Sequence, residues 1–274
     1  MNDRTARLAI LALTIAFAAS PFLSSGFGGF YPESFPVQVD RWPAQPAGWA
    51  FSIWGLIYIG LIASAAWAVW RPATMPEWKH TLWPLGLSLF IGVFWIDAAM
   101  NSPLLATAMI LPMASGAVLA MYRVGSGWRE WGALGLYAGW LTAASGVAVS
   151  VVLTGYGILS PGVAAILLIL LVMVVAVAVA AARPRVWTYR AGVVWALIGV
   201  IAAWWFSNLD IGMIIAIAMV FNMLSAALAG ILIPILLDRL DLDPAIASSV
   251  FVTTVTDVVG FFAFLGLAAW WFGI

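Results

Sequence analysis

The chain has 274 residues, of which 65% are hydrophobic and 8% are charged, and its formal net charge is zero. So apolar a composition predicts a polytopic membrane protein, and the neutral charge balance argues against a nucleic-acid partner. The sequence contains no cysteine, which excludes disulfides, thiolate metal sites and cysteine nucleophiles.

Nine apolar segments long enough to cross a bilayer follow one another along the chain. Backbone groups cannot stay unpaired in lipid, and the segments lack the alternation of a β-barrel strand, so the spans are predicted to be helices. We therefore predict an all-α fold, a polytopic transmembrane helix bundle of about nine helices. The predicted spans are 8–25, 47–70, 81–101, 103–122, 131–155, 160–182, 190–207, 211–237 and 245–272. The first is expected to be a permanent span and not a signal peptide.

The basic residues predict how the bundle is oriented. With a cytoplasmic N-terminus, Arg41 is the one basic residue in an outer loop. The inner stretches hold Arg4, Arg7, Arg71, Lys79, Arg123, Arg129, Arg183, Arg185, Arg190 and Arg239. Because cytoplasmic loops are enriched in Lys and Arg, we predict a cytoplasmic N-terminus, an external C-terminus and a place in the inner (cytoplasmic) membrane.

The longest connection, residues 26–47, follows the first span on the outer side. It is rich in proline, and its aromatic residues are Phe27, Phe30, Tyr31, Phe35 and Trp42. Such a loop is typical of a lid over a binding site, although it could also simply plug the outer face of the bundle. Most of the 17 tryptophans fall near span ends, as interfacial anchors do. Those in or beside the spans either pack the core or wall a pocket for a flat apolar ligand, and they are Trp49, Trp54, Trp95, Trp140 and Trp195.

Several motifs in the first four-fifths of the chain belong together. They are Pro-Ala-Gly-Trp-Ala-Phe-Ser-Ile-Trp-Gly-Leu-Ile-Tyr at 46–58, Phe94-Trp95 with Asn101, Leu-Tyr-Ala-Gly-Trp-Leu-Thr at 136–142, and Trp-Ala-Leu-Ile-Gly at 195–199 with Asn208. This set resembles the tryptophan-rich sensory protein (TspO, peripheral benzodiazepine receptor-like) family, in its long bacterial branch, over about residues 1–220. The resemblance implies a flat hydrophobic ligand, such as a tetrapyrrole, bound under the first loop. The residues that it implies for ligand binding are Trp42, Pro46, Gly48, Trp49, Phe51, Trp54, Tyr58, Trp95, Asn101 and Trp140.

The last fifty residues carry a different set of motifs. They are Gly-Ile-Leu-Ile-Pro at 230–234, Asp-Arg-Leu at 238–240, Asp-Pro-Ala-Ile-Ala-Ser at 243–248 and Thr-Thr-Val-Thr-Asp-Val-Val-Gly at 253–260. They resemble the final two helices of MgtE-type magnesium transporters over about residues 225–272. The resemblance implies that Asp257 serves a magnesium site. Thr253 and Thr254 share its helical face, and Mg²⁺ prefers oxygen ligands, so these three residues are the predicted metal site. The other pore helices of that family have no counterpart in the sequence.

Two acidic residues, Asp97 and Asp257, lie inside spans that contain no Lys or Arg. Placing a charged carboxylate in hydrocarbon has a high free-energy cost, which an interaction or protonation must offset. For Asp257, near the middle of its span, water, a cation or protonation offsets this cost. Asp97 lies near the outer end of its span, where it either reaches the interface or bonds to Asn101, or else makes a polar contact in the outer pocket.

Two domains are predicted: a TspO-like membrane domain over 1–220, and an MgtE-like C-terminal helix pair over 221–274 packed in the same bundle. The leading function is a membrane receptor or sensor for a hydrophobic, tetrapyrrole-like ligand, and the alternative is a magnesium or divalent-cation transporter. A third alternative is a junction near Asn222 that preserves neither activity. No phosphate loop, catalytic triad or carboxylate pair is evident in the sequence, so no enzyme is expected. The expected partners are the lipid bilayer, the hydrophobic ligand and a second copy in a homodimer.

Overall fold

The computed structural model describes residues 3–23, 27–39, 41–125, 127–205, 209–240 and 244–272. Within these ranges the regular secondary structure is entirely helical, which confirms the all-α prediction. The α-helices are α1 (Asp3–Ala19), α2 (Ile53–Trp70), α3 (Leu82–Asn101), α4 (Pro103–Arg123), α5 (Trp128–Gly155), α6 (Pro161–Ala182), α7 (Trp187–Trp205), α8 (Leu209–Arg239) and α9 (Pro244–Phe272). In this described part, nine helical segments are long and apolar enough to cross a membrane. The chain is therefore a multi-pass membrane protein in contact with the lipid bilayer.

The chain forms two compact units, Met1–Trp204 and Trp205–Ile274. The predicted domain boundary between residues 220 and 221 stays a prediction, as does the packing of the C-terminal helix pair in the same bundle. Two residues of the sequence motifs, Asn208 and Asp243, lie outside the described residues.

Serine–proline pairs mark where two of the spans begin. At the start of α4, the Ser102 hydroxyl accepts a hydrogen bond from the Leu105 backbone N–H at 3.3 Å, and Pro103 is the first helical residue. At the start of α6, Pro161 is again the first helical residue and follows a serine, Ser160, whose side chain makes no capping hydrogen bond to the described residues. Proline at this position costs no hydrogen bond, because the first N–H groups of a helix have no partner within it. The predicted starts at 103 and 160 therefore lie within one residue of the observed ones.

Close packing between α5 and α7 depends on glycine. A Cβ atom added at Gly192 would lie 2.7 Å from the Leu136 carbonyl oxygen and 2.8 Å from the Trp140 backbone nitrogen. On the facing helix, a Cβ at Gly139 would lie 2.9 Å from the Tyr189 carbonyl carbon. Small residues let membrane helices approach backbone to backbone, where dispersion replaces the hydrophobic driving force that lipid removes. This contact brings α7 alongside the face of α5 that carries Trp140.

Apart from Arg41 in the first loop, the basic side chains of the first unit gather at one end of its helices. Arg7 is only 4% exposed and donates to the Ala68 carbonyl oxygen at 3.2 Å, which ties the start of α1 to the end of α2. Arg183 donates to the carbonyl oxygens of Tyr122 and Val124 at 3.2 and 2.7 Å. We call this the basic end. The prediction that it faces the cytoplasm stays a prediction.

The first helix begins at Asp3, five residues before the predicted span. The predicted span leaves out Arg7, whereas the helix includes it. The guanidinium finds an acceptor in the last turn of α2, and a carboxylate in Asp3 at 3.0 Å. A cation near helix carbonyl ends is electrostatically favoured, so this charge does not end the helix.

Candidate functional site

A short 3₁₀ helix, Gly48–Ser52, precedes α2. The span predicted at 47–70 thus begins with a tighter turn than an α-helix. In a 3₁₀ helix, residues three apart lie on the same face. Phe51 and Trp54 are spaced in this way at the junction, and both line the same cavity.

The loop before this turn is held in shape by its own side chains. The Trp42 indole N–H donates to the Phe30 carbonyl oxygen at 2.9 Å, and the Phe30 N–H donates to the Gln45 side-chain oxygen at 2.9 Å. Gly29 has a φ of 126°, a conformation that L side chains rarely adopt, and the Gln45 amide occupies the space of a Cβ there. Both Phe30 and Trp42 are buried. The loop is therefore a packed cover with a defined structure.

Three further hydrogen bonds attach the loop to helix ends opposite the basic end. They run from the Val37 N–H to the Gly155 oxygen at 2.9 Å, from the Ala47 N–H to the Gly199 oxygen at 3.0 Å, and from the Arg41 guanidinium to the Ala203 oxygen at 2.8 Å. Gly155 and Ala203 lie in the last turns of α5 and α7, where carbonyl groups lack partners within the helix, whereas Gly199 lies six residues before the end of α7. The loop thereby closes this end of the first unit.

Beneath the loop lies an apolar cavity with a free volume of about 40 Å³. Its aromatic walls are Phe27, Phe30, Phe51, Trp54, Trp95 and Trp140, and its other lining residues are Gly29, Gln45, Pro46, Ile110, Met113, Leu141, Ala144, Val147, Ala148 and Ala196. The Gln45 amide is the polar side chain of this set, and its oxygen is already bonded to Phe30. The cavity therefore favours an apolar occupant.

A second cavity of about 250 Å³ lies directly beside the first. The two share a wall made of Phe27, Phe51, Trp54 and Trp95, together with Met113. We call these four aromatic residues the aromatic partition. Phe27 meets Trp95 edge to face at 5.0 Å between ring centroids, and it meets Phe51 in the same way at 5.9 Å. One member of the partition, Phe27, belongs to the loop, and the other three belong to the short 3₁₀ helix, α2 and α3.

Six of the ten predicted ligand-binding residues line these two cavities. Pro46, Phe51, Trp54, Trp95 and Trp140 line the first cavity, and Tyr58 lines the second, where its ring stacks on Trp54 at 5.4 Å.

The other four predicted residues lie elsewhere. Trp42 holds the loop closed, and Gly48 is not among the lining residues. Trp49 is 44% exposed and packs edge to face on Trp195 at 5.4 Å. The Asn101 amide donates to the Asp97 carbonyl oxygen at 2.8 Å and to its carboxylate at 3.2 Å. Asp97 was predicted either to reach the interface or bond to Asn101, or to make a polar contact in the outer pocket. The structure contains the bond to Asn101.

The fourth helix contributes to the site, which the sequence did not indicate. Ile110 and Met113 line the first cavity, and the Trp95 indole N–H donates to the Ala106 carbonyl oxygen at 2.9 Å. That hydrogen bond fixes α4 against α3 beneath the loop. Nothing in the sequence distinguishes these apolar residues of α4 from others that face lipid.

The second unit contains its own cavity, of about 290 Å³, between α8 and α9. Asp257 lines it together with Asn222, Thr256 and Gly260, whereas the predicted ligands Thr253 and Thr254 are not among the lining residues. The Asn222 side-chain oxygen is buried and has no hydrogen-bond partner among the residues that the structure describes. Among the described residues, no group of three or more acidic or histidine side chains is arranged to hold a metal ion.

The first unit thus combines a bundle of membrane-spanning helices with an apolar aromatic cavity under a closed loop. The model of the TSPO-like protein family matches residues 39–232. The chain therefore belongs to the TSPO-like protein family, which confirms the resemblance seen in its motifs.

Two curated relatives match a shorter part of the chain. The magnesium transporter MgtE of Enterococcus faecalis is 42% identical over 65 residues, and that of Bacillus subtilis is 32% identical over 72 residues. These alignments cover 24% and 26% of this chain, but only 14% and 16% of the two transporters. The chain thus spans about one-seventh of the length of these relatives. No solved structure matches it.

Proposed function

We propose that this protein is a membrane receptor or sensor that binds a flat hydrophobic ligand, of the tetrapyrrole class, beneath its first loop. The observation that carries the proposal is the pair of adjoining cavities divided by the aromatic partition. Membership of the TSPO-like family agrees with a sensor or receptor role in the membrane. Among the lining side chains, the one amide already has a partner, so binding relies on apolar contact and ring stacking.

The volumes indicate how such a ligand enters. Pockets for drug-sized ligands usually measure about 300–1,000 Å³, and the two cavities have about 40 and 250 Å³. Neither holds a tetrapyrrole in the closed state. Displacing Phe27 with the loop joins the two cavities and frees the space that its ring now fills, which gives one larger pocket with Trp54 and Trp95 along its walls. Ligand binding is therefore coupled to opening of the loop.

The test is a fluorescence titration of the purified protein with protoporphyrin IX, with two variants compared. Trp54→Ala removes a wall of both cavities, so we expect at least roughly thirtyfold weaker binding, the effect of losing about 2 kcal/mol at a binding hot spot. Trp49→Ala is the matched control, because Trp49 lies in the same segment but lines neither cavity. Equal affinity of the two variants would mean that Trp54 serves only core packing.

A second candidate function, divalent-cation transport, is favoured by the cavity of the second unit. Asp257 provides a carboxylate there, and Asn222 provides a buried oxygen that no described residue pairs with. Hard cations such as Mg²⁺ take this kind of ligand and retain several waters. The similarity to two magnesium transporters, which covers about a quarter of the chain, supports this candidate.

Thermal unfolding with and without Mg²⁺ tests the candidate. If a cation binds, Asp257→Asn abolishes stabilisation by Mg²⁺, since the amide keeps the shape but loses the charge. Asp97→Asn is the control, because its carboxylate lies in the first unit and bonds to Asn101. A wild-type melting temperature that Mg²⁺ leaves unchanged would rule out this function.

A further inference from the structure

A groove of about 730 Å³ lies between α2, α5 and α7 and shares no residue with the aromatic cavities. Its principal residues are Gly60, Trp67, Arg129, Trp131, Trp187 and Thr188. Arg129 and Trp187 lie in the first turns of α5 and α7, whereas the loop is attached towards the C-terminal ends of these helices. The groove is thus at the basic end, and we call it the basic-end groove.

A cation is held in a fixed position at this groove. The Arg129 guanidinium lies over the Trp67 ring at 5.0 Å and over the Trp128 ring at 5.1 Å. The Ser64 hydroxyl donates to the Arg129 carbonyl oxygen at 3.0 Å, which fixes the backbone beneath it. In the part of the chain that is described, no carboxylate forms an ion pair with this guanidinium. The two indole rings thus hold the Arg129 guanidinium in place, and its N–H groups remain available to an anion.

The mouth of the groove is apolar and open. Leu56 and Trp187 line it and are 67% and 60% exposed. In a membrane-spanning bundle these exposed side chains face lipid, and tryptophan is enriched where the acyl chains meet the headgroups. An occupant therefore needs a negative group for Arg129 and a hydrocarbon part for the tryptophans.

We propose that the basic-end groove binds an anionic phospholipid, with its phosphate at Arg129 and an acyl chain along the tryptophans. Anionic headgroups are attracted to basic residues at the membrane surface, and the lipid supplies the charge and the chain in one molecule. A free phosphate satisfies the guanidinium but leaves the apolar wall uncovered. The inference concerns a site separate from the ligand cavity, and it holds or fails independently of the proposed receptor function.

Native mass spectrometry of the full chain in micelles tests the proposal, with phosphatidylglycerol and phosphatidylcholine as probes. We expect the wild type to prefer phosphatidylglycerol, and Arg129→Gln to bind it about tenfold more weakly, since a hydrogen bond to a charged group is lost. Arg71→Gln is the matched control. Arg71 also lies over a tryptophan, Trp70 at 6.0 Å, but it does not line the groove, so its loss should leave binding unchanged.

A second variant tests the groove without altering its charge. A Cβ at Gly132 has Trp128 at 4.0 Å as its nearest neighbour, so the larger side chain of Gly132→Leu enters the groove and should displace the lipid. Thermal unfolding checks that each variant is folded. If Arg129→Gln does not fold, the result with Gly132→Leu decides whether the groove binds the lipid. Equal binding of the two lipids by the wild type would overturn the proposal, as would full binding by Gly132→Leu. Displacement of phosphatidylglycerol by millimolar inorganic phosphate would show a free-anion site instead.

Discussion

The hydrogen bond that closes the loop can be removed with little change of shape. In Trp42→Phe an aromatic ring remains to pack against Phe35, whose centroid lies 4.9 Å away, but the indole N–H is lost. The Phe30 carbonyl oxygen then loses its donor while Phe30 itself is only 6% exposed. An orphaned buried acceptor costs about 1–3 kcal/mol. The closed loop is destabilised by this amount, while the helices beneath it keep their contacts.

A cost of about 2 kcal/mol raises the open population of the loop roughly thirtyfold. Amide hydrogen exchange measures this directly. We expect the Phe30 and Ala47 amides, bonded to Gln45 and Gly199, to lose about thirtyfold of their protection. Amides in the middle of α3 and α4 should be unaffected.

Trp49→Phe serves as the control for this experiment. Trp49 is 44% exposed and makes its ring contact with Trp195, outside the loop interior. Its replacement should leave exchange in the loop unchanged. If Trp42→Phe also left the loop amides protected, or if exchange rose equally throughout the bundle, the loop would not be a separately closing cover.

Three further predictions concern packing, topology and the second unit. Gly192→Ala places a Cβ 2.7 Å from a backbone oxygen of α5, so we expect a loss of about 1–3 kcal/mol in the free energy of unfolding, measured in denaturant. A cysteine replacing the exposed Ser34 should react with an impermeant thiol reagent on intact cells, and one replacing the exposed Ala73 should not; reaction at Ala73 would reverse the predicted orientation. Asn222→Ala should reduce any stabilisation by Mg²⁺ that Asp257 confers, and an undiminished effect would exclude the amide oxygen as a ligand.

The spans were predictable because hydrophobicity and backbone satisfaction in lipid leave few alternatives. Proline after serine marked the starts of α4 and α6, since it fits the first helical turn. The start of α1 was predicted too late, because the Arg7 charge is accommodated by a contact with Ala68 in α2. A sequence read one helix at a time cannot show that contact.

Cavity-lining residues were predictable where they lie close together in one motif, as Phe51 and Trp54 do. They were not predictable where contacts with distant residues decide whether a side chain faces the cavity. Trp42 and Trp49 both lie beside the motif, but one is buried on Phe30 and the other is exposed beside Trp195. The sequence shows neither partner.

Illumination of the bound porphyrin is the most direct test of where the ligand lies. Excited protoporphyrin IX produces singlet oxygen, which oxidises nearby tryptophans that mass spectrometry then identifies. If the ligand occupies the joined cavities, oxidation should concentrate at Trp54, Trp95 and Trp140, which line them. Oxidation confined to the exposed Trp70 and Trp128, at the opposite end of the unit, would contradict a binding site beneath the loop.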